Sequence, residues 1–243
     1  MSLVSLKDVH LSYISHSEGR AVEQEVLKGV SFEIGKGEIV GLAGESGSGK
    51  STIARAILGT HRISSGELVR NTDMPQMIFQ DPYGALNPAH TISWIMQEPL
   101  KMTTKLKGPE RKERCARMLE DVGLDAGYLS RKPGELSGGQ RQRICIGTAL
   151  MREPELLIAD EPVSALDVTV AAQVLALLKK LHDERKLAIL FISHDLRIMY
   201  HFCQRIMILK DGVIVEQGTP DKLYRDPQHE YTKLLLTSAG IRS

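Results

Sequence analysis

Along the chain, short apolar and β-branched runs alternate with longer stretches in which apolar positions recur every three or four residues. Runs at 3–9, 26–34, 38–43, 77–79, 156–159, 187–192, 205–209 and 213–216 predict strands, and several are apolar throughout, as strands covered on both faces are. Helical spacing predicts helices over 52–58, 91–100, 109–122 and 137–152, with Pro109 suited to a first helical turn. Strands alternating with helices indicate an α/β fold on a largely parallel sheet. Gly35-Lys36-Gly37 and Asp211-Gly212, each between apolar runs, read as hairpins and add an antiparallel portion. The alternation breaks between about 85 and 153, which predicts an inserted helical subdomain; 1–84 and 154–243 make up the rest of one domain.

Composition changes this picture little. The 243 residues are 42% hydrophobic, 25% charged and 5% aromatic, which excludes disordered and fibrous classes. Thirty-one Lys and Arg against 30 Asp and Glu leave a formal charge of +1, so no strong field draws in nucleic acid. Cys115, Cys145 and Cys203 are odd in number and widely spaced, giving neither a disulfide framework nor a zinc site, and fit a reducing cytoplasm. No apolar run approaches the ~20 residues that span a bilayer, and the amino terminus lacks a signal-peptide pattern.

Candidate chemistry begins at GESGSGKS, residues 44–51, between the strand at 38–43 and the helix at 52–58. This pattern in this context is a phosphate cradle. Gly44, Gly47 and Gly49 let the backbone turn so that N–H groups, with those of Ser46 and Thr52, converge on phosphate oxygens at a helix start. Lys50 neutralises the β- and γ-phosphates, and the Ser51 hydroxyl serves Mg²⁺. The alternative is a Gly/Ser-rich turn. A second feature is the apolar run 156–159 ending in Asp160 and Glu161. Two carboxylates at the end of a buried strand suit Mg²⁺ ligation (Asp160) and polarisation of an attacking water (Glu161), with a helix N-cap as the bland alternative.

The third feature, LSGGQ at 136–140, resembles the signature of ABC-transporter ATPase subunits. The resemblance runs the length of the chain and implies a P-loop NTPase (RecA-like) core with an antiparallel β subdomain and a helical signature subdomain. It implies ATP with Mg²⁺ as the ligands, and a head-to-tail dimer in which Ser137, Gly138 and Gly139 of one subunit close over ATP on the other. By the same resemblance, Tyr13 stacks on adenine, Gln80 ligates Mg²⁺ and senses the γ-phosphate, Asp167 crosses the dimer interface, and His194 contacts the γ-phosphate. Each has a plainer alternative: a strand residue for Tyr13, a helix cap for Asp167, a core histidine for His194. The segments at 79–88, 161–168 and 227–236 are similar to oligopeptide, dipeptide and nickel importer ATPases.

Two departures stand out. Glu230 replaces a usual proline and the sequence ends soon after, shifting weight toward nickel or metal-chelate import. Only 28 residues (52–79) separate Ser51 from Gln80, which predicts a trimmed antiparallel subdomain after Gly66-Glu67. The implied partners are transmembrane permease subunits, a second ATPase subunit (identical or different) and, indirectly, an extracytoplasmic solute-binding protein, with the chain on the cytoplasmic face of the membrane. A coupling surface is expected near Ile92, Trp94, Ile95 and Met96, with core packing as the alternative. The basic residues Lys101, Lys105, Lys107, Arg111, Lys112, Arg114 and Arg117 read as a solvated helix face. Repair-type ATPases of the superfamily would need a coiled-coil insert between Gly49 and Leu136, and translation-associated ones a second motif set.

Overall fold

The computed structural model describes residues 2–17 and 20–241. Its strands are β1 (Ser2–Ser17), β2 (Arg20–Gly35), β3 (Ile39–Ala43), β4 (Ser65–Arg70), β5 (Gln76–Ile78), β6 (Leu156–Asp160), β7 (Ala188–Ile192), β8 (Arg205–Lys210) and β9 (Val213–Gly218). Its helices are α1 (Lys50–Leu58), α2 (Pro82–Ala85), α3 (Ile92–Thr103), α4 (Gly108–Asp121), α5 (Gly138–Leu150), α6 (Val168–Arg185), α7 (Leu196–Phe202), α8 (Pro220–Arg225) and α9 (Glu230–Ser238).

Six strands form one sheet in the order β5-β6-β7-β3-β8-β9, parallel except for β9, which returns antiparallel to β8. The return is the predicted hairpin, with Asp211 at φ 48° and Gly212 at φ 84°, the two positive angles a tight hairpin needs. Both faces of this sheet are covered. Ile39 and Ala43 of β3 join one buried cluster while Val40 and Leu42 join the other, and Leu157 and Ala159 of β6 oppose Leu156 and Ile158 in the same way. Two-sided burial explains why these strands read as unbroken apolar runs.

A separate antiparallel sheet, β2-β1-β4, packs over the second cluster. Gly35-Lys36-Gly37 does not close a hairpin: β2 and β3 belong to different sheets, and the turn carries the chain from one to the other. The pattern of apolar positions also misses β4, whose side chains are mostly exposed; it is held by pairing with β1 and by Arg70, which donates to the carbonyls of Ile57 and Ala56. Residues 71–75 then lead straight into β5, so the short span between Ser51 and Gln80 retains one edge strand of the antiparallel sheet.

Helices α3, α4 and α5 pack together beside β5 around Ile92, Ile95, Met96, Leu100, Met118 and Ile144. Ile92, Ile95 and Met96 are therefore core, whereas Trp94 is 38% exposed and stacks on His90 at 3.6 Å between ring centroids. The lysines of the basic stretch are exposed, and Arg114 and Arg117 pair with Glu153 and Glu113, as a solvated face requires. All three cysteines are free and buried, and burial pushes the thiols up, Cys115 to about 11 and Cys145 to about 12, so they act as packing groups. Among the described residues no helix is long and apolar enough to cross a membrane.

Candidate active site

Parallel strands bring their carboxyl ends to one edge, where the chain is free to turn and present polar groups. The loops after β3, β6 and β7 meet there around a cavity of about 340 Å³ lined by Val26, Ser46, Gly47, Gly49, Lys50, Ser51, Thr52, Gln80, Asp160, Glu161 and His194. A larger cavity, about 610 Å³, opens at the opposite edge, and none of the candidate residues lines it. Chemistry rather than volume identifies the first as the site.

The loop 44–49 is built around backbone that only glycine accepts. Gly49, at φ 110°, starts α1, and a Cβ there would sit 2.9 Å from Leu27 Cδ2; one on Gly44 would sit 2.2 Å from the Leu209 carbonyl oxygen. No side chain caps α1 and no acid occupies its first turn, which leaves the first N–H groups and the positive end of the helix dipole facing the cavity. Lys50 folds back so that its Nζ donates to the carbonyls of Gly44 at 2.8 Å and Glu45 at 2.7 Å. Burial holds its pKa below the usual lysine value, opposed by the negative charges of Glu161, Asp160 and Glu45. An ammonium ion held by two neutral carbonyls is placed to exchange them for phosphate oxygens.

Ser51 Oγ donates to Asp160 Oδ2 at 3.0 Å, and Gln80 lines the same cavity. Burial raises the Asp160 pKa; the Ser51 hydrogen bond offsets part of that rise. A hydroxyl and a carboxylate in contact, with an amide side chain lining the same cavity, are hard oxygen donors of the kind Mg²⁺ takes.

Glu161 follows β6 in a left-handed turn, φ 49°, fixed by its N–H on the Ile192 carbonyl at 2.9 Å and by Ser164 Oγ on its own carbonyl at 3.1 Å. The turn swings its carboxylate across to the end of β7. There Oε1 accepts from the His194 backbone N–H at 3.0 Å and lies 2.7 Å from His194 Nδ1, while Ser193 Oγ donates to Oε2 at 3.4 Å. The Glu161 side chain is only 11% exposed and that of His194 is 71% exposed, so the carboxylate is held from behind and the imidazole stands free in front. This pair can orient a water beside a phosphate lodged in the loop.

Five candidates lie away from the cavity. Ser137 is exposed and caps α5, accepting from the Gln140 N–H at 3.3 Å while Gln140 Oε1 accepts the Ser137 N–H at 2.9 Å. Gly139 fits because a Cβ would come within 2.4 Å of Val170, whereas one on Gly138 would only reach ordinary contact with Leu166 at 3.4 Å, so 137–139 and the start of α6 form one surface. Asp167 caps α6 through Val170 N–H at 3.0 Å. Tyr13 does not line the cavity: its hydroxyl bonds Thr52 Oγ1 at 3.2 Å and its ring meets His61 edge-on at 5.5 Å. Sequence reasoning missed Val26, which lines the cavity from β2, and Ser193, legible only as the residue before His194.

Residues 27–164 match the ABC transporter family. The chain is 43% identical to the dipeptide transport ATP-binding protein DppF of Haemophilus influenzae, covering 88% of this chain and 70% of the relative. It is 44% identical to the oligopeptide transport ATP-binding protein OppF of Streptococcus pyogenes, covering 98% and 82%. Among solved structures, the dimeric post-hydrolysis state of the ATP-binding cassette MJ0796 bound to ADP and Pi has a TM-score of 0.78 at 31% identity, covering 89% of this chain and 98% of that one. The structure of cbiO1 from Clostridium perfringens, part of the ABC transporter complex cbiONQ, has a TM-score of 0.77 at 25% identity over 99% and 95%. On the fold, the phosphate loop and these likenesses together, the chain belongs to the ABC transporter family as one of its ATPase cassettes.

Proposed function

We propose that this cassette powers a peptide importer, binding ATP with Mg²⁺ between two subunits and passing the closing motion to permease subunits at the cytoplasmic face of the membrane. In this reading Lys50 and the N–H groups of 44–52 hold the phosphates, and Ser51, Asp160 and Gln80 hold Mg²⁺, which supplies charge neutralisation on the phosphates when bound. Glu161 orients water, His194 contacts the γ-phosphate, and Tyr13 stacks on the base from beside Thr52. Ser137, Gly138, Gly139 and Asp167 serve the ATP of the opposite subunit, which fits the exposure of Ser137 and Asp167 and the position of all four away from their own cavity. Residues 85–153 serve as a helical subdomain beside a nucleotide-binding core of 1–84 and 154–243. The relatives named for dipeptide and oligopeptide transport favour peptide over nickel or metal chelate as cargo, delivered by an extracytoplasmic binding protein.

The observation that carries the coupling is a pair of neighbours. Gln80 lines the phosphate cavity, whereas Phe79, 55% exposed, lines a separate groove of about 300 Å³ with Ile95, Pro99, Met102, Cys145 and Arg152. An apolar segment of a permease seated in that groove therefore lies one residue from the phosphates. Reconstituted with its permease in vesicles, the protein should hydrolyse ATP faster when the binding protein carries peptide; stimulation by a nickel chelate instead overturns the cargo. Met102→Glu, at a position 77% exposed, should prevent co-purification with the permease while leaving ATP affinity within twofold of the parent, since it places a charge in the groove and touches nothing in the cavity.

A pH effect follows from Asp160. Because its pKa is raised, the folded state binds this proton more tightly than the unfolded chain, so its contribution to stability is present at low pH and lost as pH rises through the folded value. Asp160→Asn is free of that loss. Its nucleotide-free melting midpoint should exceed the parent's at pH 8, the difference should narrow as pH falls, and Mg²⁺-dependent ATPase activity should vanish. Equal midpoints at pH 8 would contradict the assignment of burial as the dominant cause.

A further inference from the structure

The phosphate loop is held from outside by the C-terminal helix. Tyr231, in the first turn of α9 and 5% exposed, accepts the Glu45 backbone N–H on its hydroxyl at 3.1 Å. Glu45 is the second residue of the loop, and its carbonyl accepts both Lys50 Nζ at 2.7 Å and the Ser48 N–H at 3.2 Å. One residue of the loop is thus fixed on its N–H side by the helix and on its carbonyl side by the phosphate-binding lysine. The ring is itself well seated: Lys210 Nζ lies 4.9 Å from its centroid, the Tyr231 N–H donates to His229 Nδ1 at 3.1 Å, and Glu216 of β9 accepts the N–H groups of Gln228 and His229 at 2.9 and 3.0 Å. Burial pushes the phenol pKa up, so it stays neutral.

We infer that Tyr231 is a positioning residue of the phosphate loop, and that through it the C-terminal helix sets the affinity for ATP. The inference rests on the reading of 44–51 as a phosphate cradle. Three glycines of this loop hold positive φ angles, Gly44 at 154°, Gly47 at 82° and Gly49 at 110°, and glycine-rich backbone loses the most conformational freedom when ordered. A hydroxyl that fixes the loop before ATP arrives removes part of that cost from binding. The same C-terminal segment also reaches the helix behind His194, since Arg197 donates to the Ala239 carbonyl at 2.7 Å and Tyr200 to Asp221 at 2.8 Å. It therefore ties the loop and the end of β7 to one support.

Tyr231→Phe tests this by removing one oxygen and leaving the packed ring. In titrations of the full chain with ATP and Mg²⁺, Kd should rise about threefold to tenfold, the range that one neutral hydrogen bond supplies. KM should rise with it while kcat moves less than twofold, and the Glu45 amide should exchange hydrogen faster than in the parent. Thr237→Val, on the same helix but bonded only to the Lys233 carbonyl, should change neither Kd nor the Glu45 exchange. A parental Kd for Tyr231→Phe overturns the inference, as does a weaker Kd with unchanged Glu45 exchange and a lowered nucleotide-free melting midpoint, the mark of lost packing. Lys50→Ala in the same titration separates the two readings. If it fails to bind while Tyr231→Phe binds like the parent, only the inference falls; if it binds like the parent, the phosphate-cradle reading falls and the inference with it.

Discussion

Glu161→Gln is expected to lower ATP hydrolysis by about two to four orders of magnitude, the range over which a positioned base contributes to proton transfer. The substitution keeps the length of the side chain and an oxygen able to accept from His194 N–H, now 3.0 Å away. The left-handed turn at Glu161 is set by backbone bonds to Ile192 and Ser164, so the fold is unaffected. What disappears is the charge that polarises water. In the proposed reading, ATP binding uses Lys50, Ser51 and the loop amides, and should survive. In the proposed head-to-tail arrangement, ATP then stays trapped against Ser137, Gly138 and Gly139 of the opposite subunit, and the nucleotide-bound dimer accumulates as mass action favours the liganded state. Light scattering should report that dimer, formed by this chain alone or with a second ATPase subunit. Ser137→Arg in the same background should abolish it, because Ser137 is exposed at the start of α5 and an arginine there fills the closing surface. Hydrolysis by Glu161→Gln at the parental rate would falsify the role given to Glu161.

Lys50→Ala is expected to weaken ATP about a hundredfold or more, since charge-assisted hydrogen bonds to phosphate contribute about 1.5–3 kcal/mol each and the ammonium makes more than one. The empty protein should not suffer. Burial opposes the Lys50 charge in the folded state, so this cost is present at neutral pH, below the folded pKa, and alanine removes it together with two bonds to carbonyls. The measurement is a thermal melt with and without ATP. At a concentration of 100 times its Kd, a ligand stabilises the parent by about 2.7 kcal/mol, a shift of several degrees in a chain of this size. Lys50→Ala should melt with the parent in buffer and shift by no more than about a degree or two with the same ATP concentration; a parental shift would mean that the phosphates lie elsewhere.

The two variants probe residues that are legible in the sequence, and the reason is local. A phosphate loop is a contiguous stretch whose glycines, lysine and serine act at fixed spacing, and β3, β6 and β7 are unbroken apolar runs because both faces of the sheet are covered. Asp160 and Glu161 were found as acids that end such a run, and Asp211-Gly212 as a hairpin that needs two positive φ angles. β4 is not legible in the sequence because an exposed edge strand has no apolar stripe; its existence depends on β1, whose paired residues lie 55 positions earlier at His10–Ser65 and 66 earlier at Val4–Arg70.

The α/β class, the apolar strands and the spacing of the groups proposed to hold phosphate are written in neighbouring residues and can be read from them. The strand order β5-β6-β7-β3-β8-β9, the crossing of Gly35-Lys36-Gly37 between sheets, the seating of Tyr13 against Thr52 and His61, and the hold of Ser193 on Glu161 and of Tyr231 on Glu45 emerge with the folded chain alone. These contacts join residues far apart in the chain, and pairing at such distances is selected by packing of the whole core, to which no local pattern gives access.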